Sequence, residues 1–97
     1  MNPTQEQIKE FWEGCGWEWW EKGEIWCYGG EMRCINLPPI DLNSLFGYAV
    51  PKLDAITMGF QYGFEANWRV KKKGTWYYAK DLDPALALFW AIYEVTK

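Results

Sequence analysis

Polar and apolar positions along this chain fall into segments of two different periods. Near the start, Ile8, Phe11 and Trp12 recur at helical spacing behind Thr4 and Gln7, a pair whose types and separation fit a capping box. Gly14 and Gly16 stop the run, so the pattern predicts a first helix over about 5–13. Trp17–Trp20, Ile25–Tyr28 and residues 32–37 are short aromatic or β-branched runs punctuated by Lys22-Gly23 and Gly29-Gly30. They read as strands joined by tight turns. Pro38-Pro39 ends the last of them, because neither proline has an N–H for a ladder.

Asp41 is placed as an N-cap for a second helix, in which Leu42, Leu45, Phe46, Ala49 and Leu53 repeat with helical period until Pro51 ends or kinks it. From residue 56 to 64 the period becomes two. Ile56, Met58, Phe60, Tyr62 and Phe64 form a core face, and Thr57, Gly59, Gln61 and Gly63 form a face nearly bare of side chains. Paired glycines in a strand mark close approach by another backbone, a ring or a ligand. Residues 65–72 and 75–80 flank Lys73-Gly74 as in a two-residue hairpin. That register sets Lys71 opposite Trp76, Arg69 opposite Tyr78 and Asn67 opposite Lys80 on one face, with Trp68, Val70, Tyr77 and Ala79 on the other. Asp83-Pro84 then opens a last helix reaching about Thr96.

The element order predicts an α+β fold in one domain over 1–97: a central antiparallel or mixed sheet of about five to six strands flanked by three helices, an α/β/α-type sandwich. Residues 84–93 carry no charge, so the last helix is apolar nearly all round and needs cover on more than one side. A chain of this size buries only about 60–65% of its unfolded surface. The second cover is therefore expected from another copy, with Phe89, Trp90, Ile92 and Tyr93 as the interface of a homo-oligomer.

Composition sharpens this picture at one point. Eight Trp, six Tyr and five Phe make 20% of the chain, more ring surface than so small a core is expected to absorb. Histidine is absent, which removes the commonest general base, the commonest metal ligand and every Ser-His or Cys-His nucleophile. Cys15, Cys27 and Cys34 show no CxxC spacing, so neither a zinc site nor a redox motif is expected, and no cofactor motif is present. The net charge of -3 divides into an acidic first third and a basic remainder, where Arg69, Lys71, Lys72, Lys73 and Lys80 cluster without an intervening acid. That patch suits a phosphate, while a pI near 4.9 argues against a duplex nucleic-acid binder. The opening residues lack the features of a secretory signal and no apolar run is long enough to span a bilayer. A cytosolic protein with reduced thiols is expected.

Three features together resemble the phage ABA sandwich domain family, small proteins encoded by bacteriophages and prophages of Gram-positive bacteria. They are the amphipathic opening helix leading into a Trp-containing segment, the stretch LPPIDLNSLFGYAVPKL at 37–53, and the closing DLDPALALFWAIYEV at 81–95. The resemblance spans nearly the whole chain and its motifs concern packing and capping. It implies a layered α/β architecture and residence in an infected host's bacterial cytoplasm. By analogy, small phage proteins of this kind are accessory or counter-defence factors, some of which sequester nucleotide immune signals.

The cation and aromatic ladder is the strongest chemical candidate. Trp76 and Tyr78 can stack on a base, Arg69 and Lys71 can hold phosphate oxygens, Asn67 or Gln61 can reach base or ribose edges, and Arg33 can join from another strand. The plainer reading is a solvated sheet face with cross-strand cation–π pairs. Trp17, Trp19, Trp20, Trp26 and Tyr28 form a second aromatic concentration, and because Trp19 and Trp20 are adjacent and point oppositely, at least one is expected to be exposed. Glu18, Glu21, Glu24 and Glu31 read as a solvated acidic edge, and the cysteines as inert thiols. The expected function is non-enzymatic: binding and sequestering a nucleotide-derived signal, such as a cyclic ADP-ribose-like molecule or a cyclic nucleotide. The alternative is an inhibitor or assembly factor acting on a host or phage protein through exposed aromatics.

Overall fold

Thr4 caps the first helix as its sequence requires. In the computed structural model its Oγ1 accepts from the Gln7 N–H at 3.2 Å and Gln7 Oε1 accepts from the Thr4 N–H at 2.9 Å. The structure describes residues 2–28, 32–34, 36–61 and 65–96, with residues 32, 33, 60 and 61 by backbone alone. Helix α1 (Gln5–Gly14) is followed by strands β1 (Trp17–Trp20), β2 (Ile25–Tyr28) and β3 (Met32–Cys34). These three pair antiparallel in chain order, Trp17 with Tyr28 and Cys27 with both Glu18 and Arg33. The turn at Gly29-Gly30 lies outside the described residues.

Asp41 Oδ1 accepts from the Ser44 N–H at 2.7 Å and starts α2 (Leu42–Ser44). The coil then widens into a π turn (Leu45–Ala49) and tightens into a 3-10 turn (Val50–Lys52) before Leu53 turns extended. Pro51 supplies the reason. It has no N–H to return to the carbonyl four residues earlier, so regular helix cannot pass through it. Strands β4 (Ala55–Gln61), β5 (Glu65–Lys72) and β6 (Thr75–Asp81) form a second antiparallel meander. The β5–β6 register pairs Lys72 with Thr75, Lys71 with Trp76, Arg69 with Tyr78 and Asn67 with Lys80, as the sequence predicts. The turn between them has positive φ at both central residues, Lys73 at 52° and Gly74 at 81°, the type I′ geometry that matches strand twist.

The expected single central sheet is corrected: the described residues form two separate antiparallel sheets, β1-β2-β3 and β4-β5-β6, in an α+β fold with three helices. Alternation along a strand fixes which face is buried but not which neighbour it pairs with, and both meanders close on sequence-adjacent partners. Hydrogen bonds from two indoles and one phenol tie the parts together. Trp12 Nε1 donates to Pro38 O at 3.0 Å, Trp68 Nε1 donates to Pro84 O at 2.9 Å, and the Tyr28 hydroxyl donates to Tyr48 O at 3.3 Å.

Helix α3 (Pro84–Thr96) begins at Asp83, whose Oδ1 accepts from the Ala85 N–H at 2.8 Å. It packs on β5 and β6 on one side and meets α1 and the α2 segment on the other. The reason given for a homo-oligomer through this helix is thereby corrected. Phe89, Ile92 and Tyr93 are buried inside the single chain, Trp90 is half-buried, and the cover expected from a second copy comes from α1 and the α2 segment. Phe11 and Phe89 meet at 4.6 Å between ring centroids, and the Tyr93 hydroxyl donates to Glu10 Oε2 at 3.1 Å.

The candidate ligand groove

Because α3 covers the face of the second sheet that carries Val70 and Trp68, the opposite face is left to solvent. On that outer face the registers place Ala55, Lys71 and Trp76 in one row, Thr57, Arg69 and Tyr78 in the next, and Gly59, Asn67 and Lys80 in a third. Trp76 is 50% exposed and Tyr78 47%, although rings of this size are ordinarily buried. The Arg69 guanidinium carbon lies 5.9 Å from the Tyr78 ring centroid, and Lys71 Nζ lies 5.8 Å from that of Trp76. Each pair contributes about 0.5–1 kcal/mol at an exposed position. Their larger effect is to hold the cations beside the rings. An open depression of about 670 Å³ runs over this face, lined by Thr57, Arg69, Trp76, Tyr77 and Tyr78.

Four of the predicted site residues, Trp76, Tyr78, Arg69 and Lys71, therefore stand together. Asn67 is on the same face one row further on, and its side-chain Oδ1 lies 3.3 Å from where a Cβ on Gly59 would sit. The close approach that Gly59 signals is thus made by the chain's own amide. Gln61 is paired with Glu65 at the far end of the sheet, and Arg33 belongs to β3 in the other sheet. The side chains of both lie outside the described residues, as do Tyr62, Gly63 and Phe64. Thr57 lines the groove without having been singled out. Its place on the outward face of β4 was the available signal, since parity with Arg69 follows once the β4–β5 register is fixed.

The described residues lining the groove supply the Trp76 and Tyr78 rings, the Arg69 guanidinium and the Thr57 and Tyr78 hydroxyls, and include no carboxylate and no thiol. Stacking and anion binding are what such a set can do. Of the thiols, Cys15 is buried, and burial pushes it up to about 12, against a smaller opposing pull from the Lys52 ammonium. Among the described residues no group of three His, Cys, Asp or Glu side chains is placed to hold a metal ion, and no helix is long and apolar enough to cross a membrane.

The second aromatic concentration is divided by the fold. Trp17 is buried against Tyr28 and Tyr48, at 5.1 and 5.4 Å between centroids, while both Trp19 and Trp20 are exposed. Phe46 packs edge-on against Trp68 at 5.7 Å and is itself exposed, as is Met58, Trp68's cross-strand partner.

No family model, curated protein or solved structure matches this chain. The likeness to the phage ABA sandwich family rests on the sequence motifs alone.

Proposed function

We propose that the outer face of β4-β5-β6 binds a nucleotide-derived small molecule and holds it without cleaving it, so that the protein acts by sequestration. The observation that carries this reading is the pair of half-exposed rings, Trp76 and Tyr78, each with a cation at its side over one open groove. Two residues apart on a strand, the rings rise from points roughly 6.6 Å apart. A planar base about 3.4 Å thick, stacked with a ring on either side, needs about that separation. Stacking is worth roughly 1–3 kcal/mol per base. Arg69 and Lys71 neutralise the phosphates, and Thr57 supplies a hydroxyl at the groove wall. Among the described lining residues the absence of a carboxylate and a thiol favours holding over hydrolysis.

The biological role follows from the resemblance. A phage accessory protein in the bacterial cytoplasm that removes a cyclic ADP-ribose-like or cyclic nucleotide immune signal would need only affinity and abundance. Mass spectrometry of the purified protein is the direct test. A nucleotide released intact on denaturation supports sequestration, a cleaved product supports an enzyme, and no bound molecule from phage-infected or signal-loaded cells counts against the small-molecule reading.

A second reading has its own observation. Trp19 and Trp20 on β1 and Phe46 with Met58 beside Trp68 are large exposed apolar groups outside the groove. Aromatics of this kind act as hot spots on partner proteins, which favours an inhibitor or assembly factor acting on a host or phage protein. Charge reversal at Arg69 and Lys71 separates the two: it abolishes nucleotide binding and leaves a protein contact through Trp19 and Trp20 intact.

A further inference from the structure

On the opposite side of the β5–β6 hairpin from the groove, a second recess of about 300 Å³ lies where the chain's two longer helices end. Gly14 and Cys15 at the end of α1 and Val95 and Thr96 at the end of α3 form one wall, and Lys52, Lys72 and Lys73 also line it. We propose that this recess is an anion site taking a phosphorylated small molecule.

Two helix C-termini contribute about half a negative charge each. The carboxylate beside the recess, Asp54, accepts from the Lys73 backbone N–H at 2.8 Å. Three lysine cations exceed the charge of the two helix ends and that one carboxylate. Among the described residues no ion pair to a carboxylate joins any of the three ammonium groups. Lys72 Nζ donates to the Lys52 carbonyl, an interaction that positions one ammonium and holds a second lysine's backbone without consuming either charge. Lys52 is steadied by the Tyr28 ring, whose centroid is 5.3 Å from its Nζ.

Space and donors agree with charge. A recess of about 300 Å³ is far larger than a single water or halide needs. Thr75, Thr96 and Tyr77 line the same recess and add hydroxyl groups. Lysines act as point charges without the planar fork that selects carboxylate geometry, which suits a tetrahedral phosphate group. The competing explanation is that the lysines serve only to offset the helix ends and the 3-10 turn. The two accounts differ in what an added anion does.

The experiment is calorimetric titration of the full chain with inorganic pyrophosphate, and with citrate as a non-phosphate anion, at matched ionic strength. With the groove cations removed in Arg69→Gln/Lys71→Gln, the proposal expects saturable one-to-one binding of pyrophosphate, weakened about tenfold or more when Lys52→Gln/Lys72→Gln is added, so that its outcome does not depend on the groove reading. Lys73→Asn is the control for folding, because asparagine suits the left-handed turn position while removing one charge. It should weaken binding and keep the melting transition. No saturable heat with the groove cations removed, or pyrophosphate binding that the lysine substitutions leave at full affinity, overturns the site. Equal binding of citrate overturns its assignment to phosphate.

Discussion

Trp76 and Lys71 show how one residue's two roles can be separated. The indole is half-exposed and has the Lys71 ammonium beside it, so Trp76→Ala should cost the fold no more than about 1 kcal/mol. If a base stacks on it, the same change weakens nucleotide binding by about 1–3 kcal/mol. Urea denaturation and ligand titration of one variant read both quantities. Gly74 makes the opposite case, since its environment is empty but its backbone is not neutral: φ is 81° and nothing lies within 4 Å of where a side chain would start. Gly74→Val should therefore lose roughly 1–2 kcal/mol through backbone strain alone, seen as a lower urea midpoint with an unchanged slope.

Among the elements, α3 shows most clearly what could be read in the sequence and what could not. Its cap at Asp83, its start at Pro84 and its apolar girth are local properties, and the structure has all three. What covers that girth is a long-range property. Period and composition specify that cover is needed, yet α1 is some seventy residues distant in the chain, and no pattern within α3 points to it. The hairpin register was legible for the same local reason, because a two-residue turn with Lys-Gly fixes every opposite pair on its two strands. The separation into two sheets was not, since alternation is silent about neighbours. Two outcomes follow for the helices. Ile92→Glu should unfold the chain, costing more than about 3 kcal/mol, because it buries a charge within one copy; circular dichroism would show lost structure, whereas a folded monomer would restore the interface reading. At the α1–α3 contact, a Cβ on Gly14 would meet Thr96 Cβ at 2.6 Å, so Gly14→Ala should destabilise by about 1–3 kcal/mol, and Thr96→Gly in the same chain should recover part of it.

At the scale of the molecule, the surplus of aromatic surface has two destinations. One set, centred on Phe11, Trp12, Trp17 and Phe89, makes the interior, and the other, Trp19, Trp20, Phe46, Trp76 and Tyr78, remains outside it. Composition announced the surplus, and the hairpin register located the part of it that lies beside cations. The Lys52 contribution at the far side of the hairpin was illegible because it joins Lys72 only through the fold. The interior also sets a response to pH. Cys15 is raised from 9.0 to about 12, so the folded chain favours the protonated thiol. That stabilisation is complete below pH 9 and is lost as pH rises towards 12, where the unfolded chain has already released its proton. Across that window the unfolding equilibrium of the wild type should shift towards the unfolded state by up to tenfold per pH unit more than that of Cys15→Ala. Equal pH slopes for the two proteins would place the thiol in contact with water.

On the proposed function, the rings and cations of the β5–β6 face hold a nucleotide. Thermal melting of the wild type and Trp76→Ala, each with cyclic ADP-ribose-like molecules, cyclic dinucleotides and adenine nucleotides, measures this most directly. At 100 times the dissociation constant, one of these ligands should stabilise the wild type by about 2.7 kcal/mol and the variant by clearly less. A panel in which no ligand moves the wild-type transition, or in which the variant responds as fully as the wild type, would contradict it.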